Sequence, residues 1–160
     1  MKFFVVFGWA ALYFATAISA GAAEDATPPT PQEQAQQSAE LRQSVFKLMN
    51  WNMGPLAAML RNRSPFDAAV AQKSAMRLEQ LAPMIPDVFQ GDTRKFQVKT
   101  KARESIWTNK SDFNAKADDL AKATAALSAA AKSGDKGTTL KAVATVGKAC
   151  GACHDDFRDK

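Results

Sequence analysis

The chain has 160 residues, with 21 Lys and Arg against 16 Asp and Glu, one His and two Cys, for a formal net charge of +5. That length suits one domain with a single hydrophobic core. The charge is mild and spread along the chain, with no dense basic run interleaved with aromatics, so nucleic-acid binding has no support. Such a charge suits an acidic redox partner, but an ordinary solvated surface explains it better.

Residues 1–23 read as a secretory signal peptide. Lys2 supplies the positive start, Phe3 to Ile18 is apolar and uncharged, and Ser19-Ala20-Gly21-Ala22-Ala23 precedes the first acid, Glu24. Cleavage fits after Ala20, Ala22 or Ala23. An uncleaved anchor competes, but the apolar run is at the short end for a membrane span. Export implies a periplasmic protein. Residues 24–37, rich in Pro, Gln and Ala, read as a flexible lead-in. Residues 38–160 form the domain.

Four helical patterns follow and no strand. The first runs from about Ser38 to Arg61. Arg42, Phe46, Met49, Met53, Leu56 and Leu60 step by three or four and make one face, widened by Leu41, Val45, Leu48 and Met59. Gly54-Pro55 interrupts it, predicting a bend or a weakened turn. The second begins at Ser64-Pro65, a serine N-cap with proline at the first helical position, and Asp67 favours the first turn. Its apolar face is Val70, Ala71, Ala75, Leu78 and Leu81, and Pro83 and Pro86 end it. A long connection, Met84 to Lys110, is expected to pack on itself or have a role. Phe89, Phe96, Ile106 and Trp107 are its candidate ties to the core.

The third helix starts at Ser111 as N-cap, with Phe113, Ala117, Leu120, Thr124, Leu127 and Ala131 as its stripe. Ser133-Gly134-Asp135 makes a turn. The fourth helix begins at Asp135 or Thr138 and runs to Arg158. Its stripe is Leu140, Val143, Val146, Cys150, Cys153 and Phe157, so both cysteines face the core, and His154 follows Cys150 by four residues. The fold class is all-α, an up-down-up-down four-helix bundle.

Cys150-Gly151-Ala152-Cys153-His154 has the spacing that attaches a c-type haem: two thiols for thioether bonds to the vinyl groups and an imidazole for the iron. A zinc site would need a fourth ligand that the chain lacks. A thioredoxin-like pair expects a βαβ setting, whereas this stretch is helical. A disulfide suits an exported protein, but so short a loop would restrain little.

A haem motif at the end of a four-helix chain resembles the class II cytochromes c, and most closely the cytochrome c′ family. The resemblance is carried by Arg42-Gln43-Ser44 with Lys47-Leu48-Met49, by Asn52-Met53-Gly54, Pro65-Phe66-Asp67 and Ile106-Trp107-Thr108, by Phe113 with Ala115-Lys116-Ala117, and by Ser133-Gly134-Asp135 and Val146 to Arg158. It covers the chain after the lead-in. It implies a left-handed bundle with one covalent haem c near one end and His154 as proximal ligand. Arg42 matches an arginine near a haem propionate, against the alternative of a solvated helix-surface arginine. Arg158 matches the basic residue near the proximal histidine, and also suits the helix dipole.

Phe46 stands where low-spin members of the class place a methionine on the iron. A phenyl ring has no lone pair to donate, so the resemblance implies five-coordinate, high-spin iron with an apolar distal face. Met49 and Met53 compete as ligands, against core filling as their ordinary use. Nitric oxide and carbon monoxide are the implied ligands, with nitric-oxide buffering or protection as the role. Electron transfer with a redox protein partner is the alternative function. A peroxidase would need a distal His or Arg acid–base pair, and the sequence offers none close to Phe46, so no enzyme activity is expected. The resemblance also implies a homodimer through the first two helices, with Trp51 a candidate contact.

Overall fold

The computed structural model describes residues 28–160. The signal peptide, the first part of the lead-in and the cleavage site lie outside the described residues. Four long helices, α1 (Pro31–Leu60), α2 (Ala68–Leu81), α5 (Lys110–Lys132) and α6 (Lys136–Phe157), make the bundle, and two short ones, α3 (Met84–Val88) and α4 (Ser105–Thr108), lie in the connection between α2 and α5. Each long helix packs on its chain neighbour, and α1 closes the ring against α6. The fold is the expected all-α up-down-up-down bundle.

The lead-in is shorter than the composition suggests. Thr30 caps α1, accepting from the Glu33 N–H at 3.3 Å, while the Glu33 carboxylate takes the Thr30 N–H at 2.7 Å. This capping box, with Pro31 at the first helical position, starts the helix before the first strongly apolar residue, so residues 31–37 are helical. α1 then continues through Pro55 to Leu60. Proline removes one intrahelical donor, and the carbonyl that loses it belongs to Trp51, an exposed residue.

The buried face of α1 is Ala35, Ala39, Arg42, Val45, Met49, Asn52, Leu56 and Met59. It is rotated from the expected stripe, because Phe46 and Leu60 lie at its edge and are 36% and 37% exposed. α2 starts later than Ser64-Pro65 predicts. Asp67 is the N-cap and accepts from the Val70 N–H at 2.9 Å, so the carboxylate supplies the cap and residues 64–66 belong to the turn. α5 begins at Lys110 with Asn109 as N-cap, two residues ahead of the expected Ser111. Its predicted stripe is buried throughout. α6 starts from Asp135, whose carboxylate accepts the Thr138 N–H at 2.8 Å.

Leu56, Leu78, Leu127, Val143 and Val146 fill the centre at 0–1% exposure. Truncating one of the leucines to alanine costs roughly 2–5 kcal/mol. The connection packs into the bundle through Phe89 and Ile106, both buried. It is also bonded to α1: Gln32 and Gln43 side chains donate to the Gln97 and Lys99 carbonyls at 3.0 and 2.8 Å. The bundle therefore has one end with short turns, at 61–67 and 133–135. The other end gathers the start of α1, the connection and the end of α6.

Candidate functional site

Cys150, Cys153 and His154 stand on the last two turns of α6 at the connection end. Both cysteines are free thiols, half-buried, and pack against the hydrophobic core. Burial pushes the Cys150 thiol up, and the Cys153 thiol to about 11, with Lys116 of α5 opposing the shift at Cys153. Both are neutral thiols at pH 7, so neither is poised as a thiolate metal ligand or redox nucleophile. Among the described residues no cluster of His, Cys, Asp and Glu fits a free metal ion.

His154 is exposed and lines an open cleft of about 220 Å³ with Arg103, Asp155, Arg158, Asp159 and Lys160. Partial desolvation lowers its pKa, Arg158 lowers it further, and Asp155 opposes both. The ring is therefore neutral at pH 7, the form that ligates a metal. Arg158 is the C-cap of α6, and its backbone N–H donates to the His154 carbonyl at 3.2 Å. A larger cavity, about 360 Å³, lies at the opposite end of the bundle and is lined by Met59, residues 62–66 and Lys136. It offers no thiol or imidazole.

An aromatic series links α1 to this region. Phe46 meets Phe89 at 6.1 Å between ring centroids, Phe89 meets Phe113 at 5.1 Å, and Phe113 meets Phe157 edge-on at 5.3 Å. Phe157 is one helical turn beyond Cys153 on the same face. Arg42 shares the Phe46 corner, its guanidinium lying 4.9 Å from the Phe89 ring centroid and 5.3 Å from that of Trp107. Phe46 and Arg42 therefore meet on one aromatic ring. Arg158 stands apart from them, in the His154 cleft.

Arg42 is not the solvated arginine that helix surfaces usually carry. It is 3% exposed and donates to Val88 O at 2.8 Å, Thr93 Oγ1 at 2.9 Å and Gly91 O at 2.7 Å. Desolvation lowers its pKa, with Asp92 opposing, and it remains charged. Nearby, Lys110 donates to Phe89 O at 2.8 Å, and both burial and Arg42 lower its pKa. Thr93 and Lys110 escape sequence reasoning. Their partners are a distant arginine and a loop carbonyl, and neither leaves a local signal.

These residues fit a c-type haem. Two neutral thiols share one helix face at the required spacing, and a neutral imidazole is accessible in the next position. The family model described as Cytochrome C′ matches residues 37–158. The chain belongs to the cytochrome c′ family. A cytochrome c′ of Cereibacter sphaeroides is 41% identical over 123 residues, spanning 76% of this chain and 82% of the relative. The solved cytochrome c′ of Shewanella frigidimarina is 34% identical, covers 80% of this chain and 98% of its own, and superposes with a TM-score of 0.75. A nitric oxide complex of a variant cytochrome c′ from Alcaligenes xylosoxidans is 29% identical over 79% of this chain and 97% of its own, with a TM-score of 0.71. Haem c, covalently bound, is the cofactor of this cytochrome c′. Among the described residues no helix is long and apolar enough to cross a membrane.

Proposed function

We propose that this cytochrome c′ is an exported, periplasmic gas-binding protein that buffers nitric oxide. Cys150 and Cys153 hold the haem, His154 takes the proximal side of the iron, and Phe46 stands over the distal side. When bound, the haem supplies an iron with one open position for a neutral diatomic ligand such as nitric oxide or carbon monoxide.

Phe46 carries this reading. It is a donor-free ring at the edge of the α1 core face, in contact with Phe89. Met49 is 6% exposed and Met53 packs against the core, which supports packing roles for both thioethers rather than ligation. Arg42 uses three of its five N–H donors on the connection. One N–H on each terminal nitrogen is left for a carboxylate, such as a haem propionate. Arg158 helps to keep the His154 ring neutral. With His154 on the iron and Arg42 bonded to Val88 O, Gly91 O and Thr93 Oγ1, binding is the reading favoured over peroxide turnover.

Leu41, Leu48 and Trp51 on α1 and Val70 on α2 are exposed, and Arg77 of α2 lies 5.1 Å from the Trp51 ring centroid. This apolar surface supports a homodimer through the first two helices, read by sedimentation. The gas-binding role is tested by adding nitric oxide to the reduced protein, where the Soret band is expected to shift; an unmoved band refutes the role. Phe46→Ala is expected to speed carbon monoxide binding about tenfold, equal to about 1.4 kcal/mol of barrier. An unchanged rate removes Phe46 from the gas path. A six-coordinate, low-spin spectrum of the unliganded protein would instead favour electron transfer with a redox protein partner.

A further inference from the structure

The last turn of a helix leaves four carbonyls without intrahelical partners. In α6 these belong to His154, Asp155, Asp156 and Phe157. Arg158 N–H takes the first at 3.2 Å. One distant segment, residues 101–105, takes the other three. Arg103 Nη1 donates to Asp155 O at 2.8 Å, Ser105 Oγ to Asp156 O at 2.9 Å, and the Arg103 backbone N–H to Phe157 O at 3.1 Å.

The same segment holds the residues beyond the helix. Arg103 Nε bonds Asp159 Oδ1 at 3.0 Å, the Asp159 N–H donates to Lys101 O at 2.9 Å, and Ala102 pairs antiparallel with Arg158. Helix ends commonly fray. Here the end is fixed from 51 to 56 residues upstream. Arg103 also lines the cleft that His154 faces.

We propose that Arg103 is a positioning residue for His154. Its guanidinium clamps the turn on which the imidazole stands, fixing the ring's direction and resisting its withdrawal from the iron. This role presupposes His154 as the iron ligand. Loss of the imidazole from a bound iron would leave His154 a neutral ring with its own lone pair and would change no oxidation state.

Resonance Raman spectra of the reduced, haem-loaded protein read the iron–histidine stretching band, and hydrogen exchange reads the clamped turn. Arg103→Ala is expected to lower and broaden the band. It should also speed exchange of the Arg158 and Asp159 amides about tenfold, since local opening sets their protection. Arg103→Lys keeps the charge and one donor and should restore part of both effects. Ser105→Ala removes one bond, should shift the band less in the same direction, and serves where Arg103→Ala does not load haem. Faster exchange with an unchanged band overturns the positioning role and leaves only a structural clamp. Unchanged exchange overturns the clamp. A missing band in the unaltered protein overturns the ligand assignment, and the role of Arg103 with it.

Discussion

The two ends of the bundle are built by different means. At the turn end every helix cap is local. The Asp67 and Asp135 side chains cap α2 and α6 from three residues away, and the last carbonyls of α1 are closed by backbone N–H groups of residues 61–63. Asn62 and Gly134 take the left-handed conformation there, with φ of 53° and 71°. At the end that carries Cys150, Cys153 and His154 the bonds that hold α1 and α6 to the connection join residues 46 to 65 positions apart. Local caps make an end that forms as soon as its helices do. The distant closure of α6 forms only with the whole fold, so the turn that carries His154 inherits the stability of the entire bundle, although the capping box of α1 at the same end is local.

The largest effect expected from this contrast comes from the thiols. A Cys150→Ala/Cys153→Ala double variant should retain no covalent porphyrin mass in mass spectrometry, while amides of the 133–135 turn keep their exchange rates. Loss of protection at both ends alike would erase the distinction between them. Arg42→Ala comes next. It deletes three bonds and leaves their carbonyl and hydroxyl partners in part-buried surroundings. Urea unfolding of the haem-loaded protein should show a loss of about 3 kcal/mol. Arg42→Lys keeps the charge but cannot span the three acceptors, and should fall in between. A cost below about 0.5 kcal/mol, typical of a surface substitution, would mean that the distant links contribute little.

The same contrast explains what could be read from the sequence. The four long helices, the α5 and α6 stripes, the Asp135 start and the haem motif follow from spacing and residue type within a few turns of chain. The start of α2 was less legible, because Ser64 and Asp67 both suit an N-cap and only the fold selects between them. The early start of α1 was legible in Thr30-Pro31-Gln32-Glu33, but the proline-rich composition around it masked the capping box. Arg42 and Arg103 were illegible in a stricter sense. Their partners are mainly backbone carbonyls, which every residue carries, so nothing in the residue types of 88–93 or 155–157 marks them as acceptors. The turn end of the bundle is written in residue types, whereas the ties of Arg42 and Arg103 at the other end are written in backbone positions.

The turn end should respond more weakly to substitution. Gly134→Ala meets no atom within 4 Å of the new Cβ, so its whole effect is the left-handed backbone, about 1 kcal/mol by urea unfolding. A neutral result would show that the turn relaxes freely.

Asp135→Ala removes the α6 cap and should have the smallest effect, but its pH dependence is the most specific. Hydrogen bonds from the Thr138 N–H and hydroxyl hold the Asp135 carboxyl below its usual range. A carboxyl whose folded pKa is depressed binds its proton more readily in the unfolded chain. Its contribution is therefore complete above the unfolded value of about 3.9 and is lost as pH falls through the lower folded value. The gap in stability between the unaltered protein and Asp135→Ala should be constant from pH 7 to about 5 and narrow below about pH 4. Asp135→Asn keeps an acceptor without the charge, and should recover part of the gap at pH 7 with no acid dependence of its own. A gap that persists unchanged into acid would assign the cap to neutral hydrogen bonding alone. The start of α6 would then owe nothing to the ionised carboxylate.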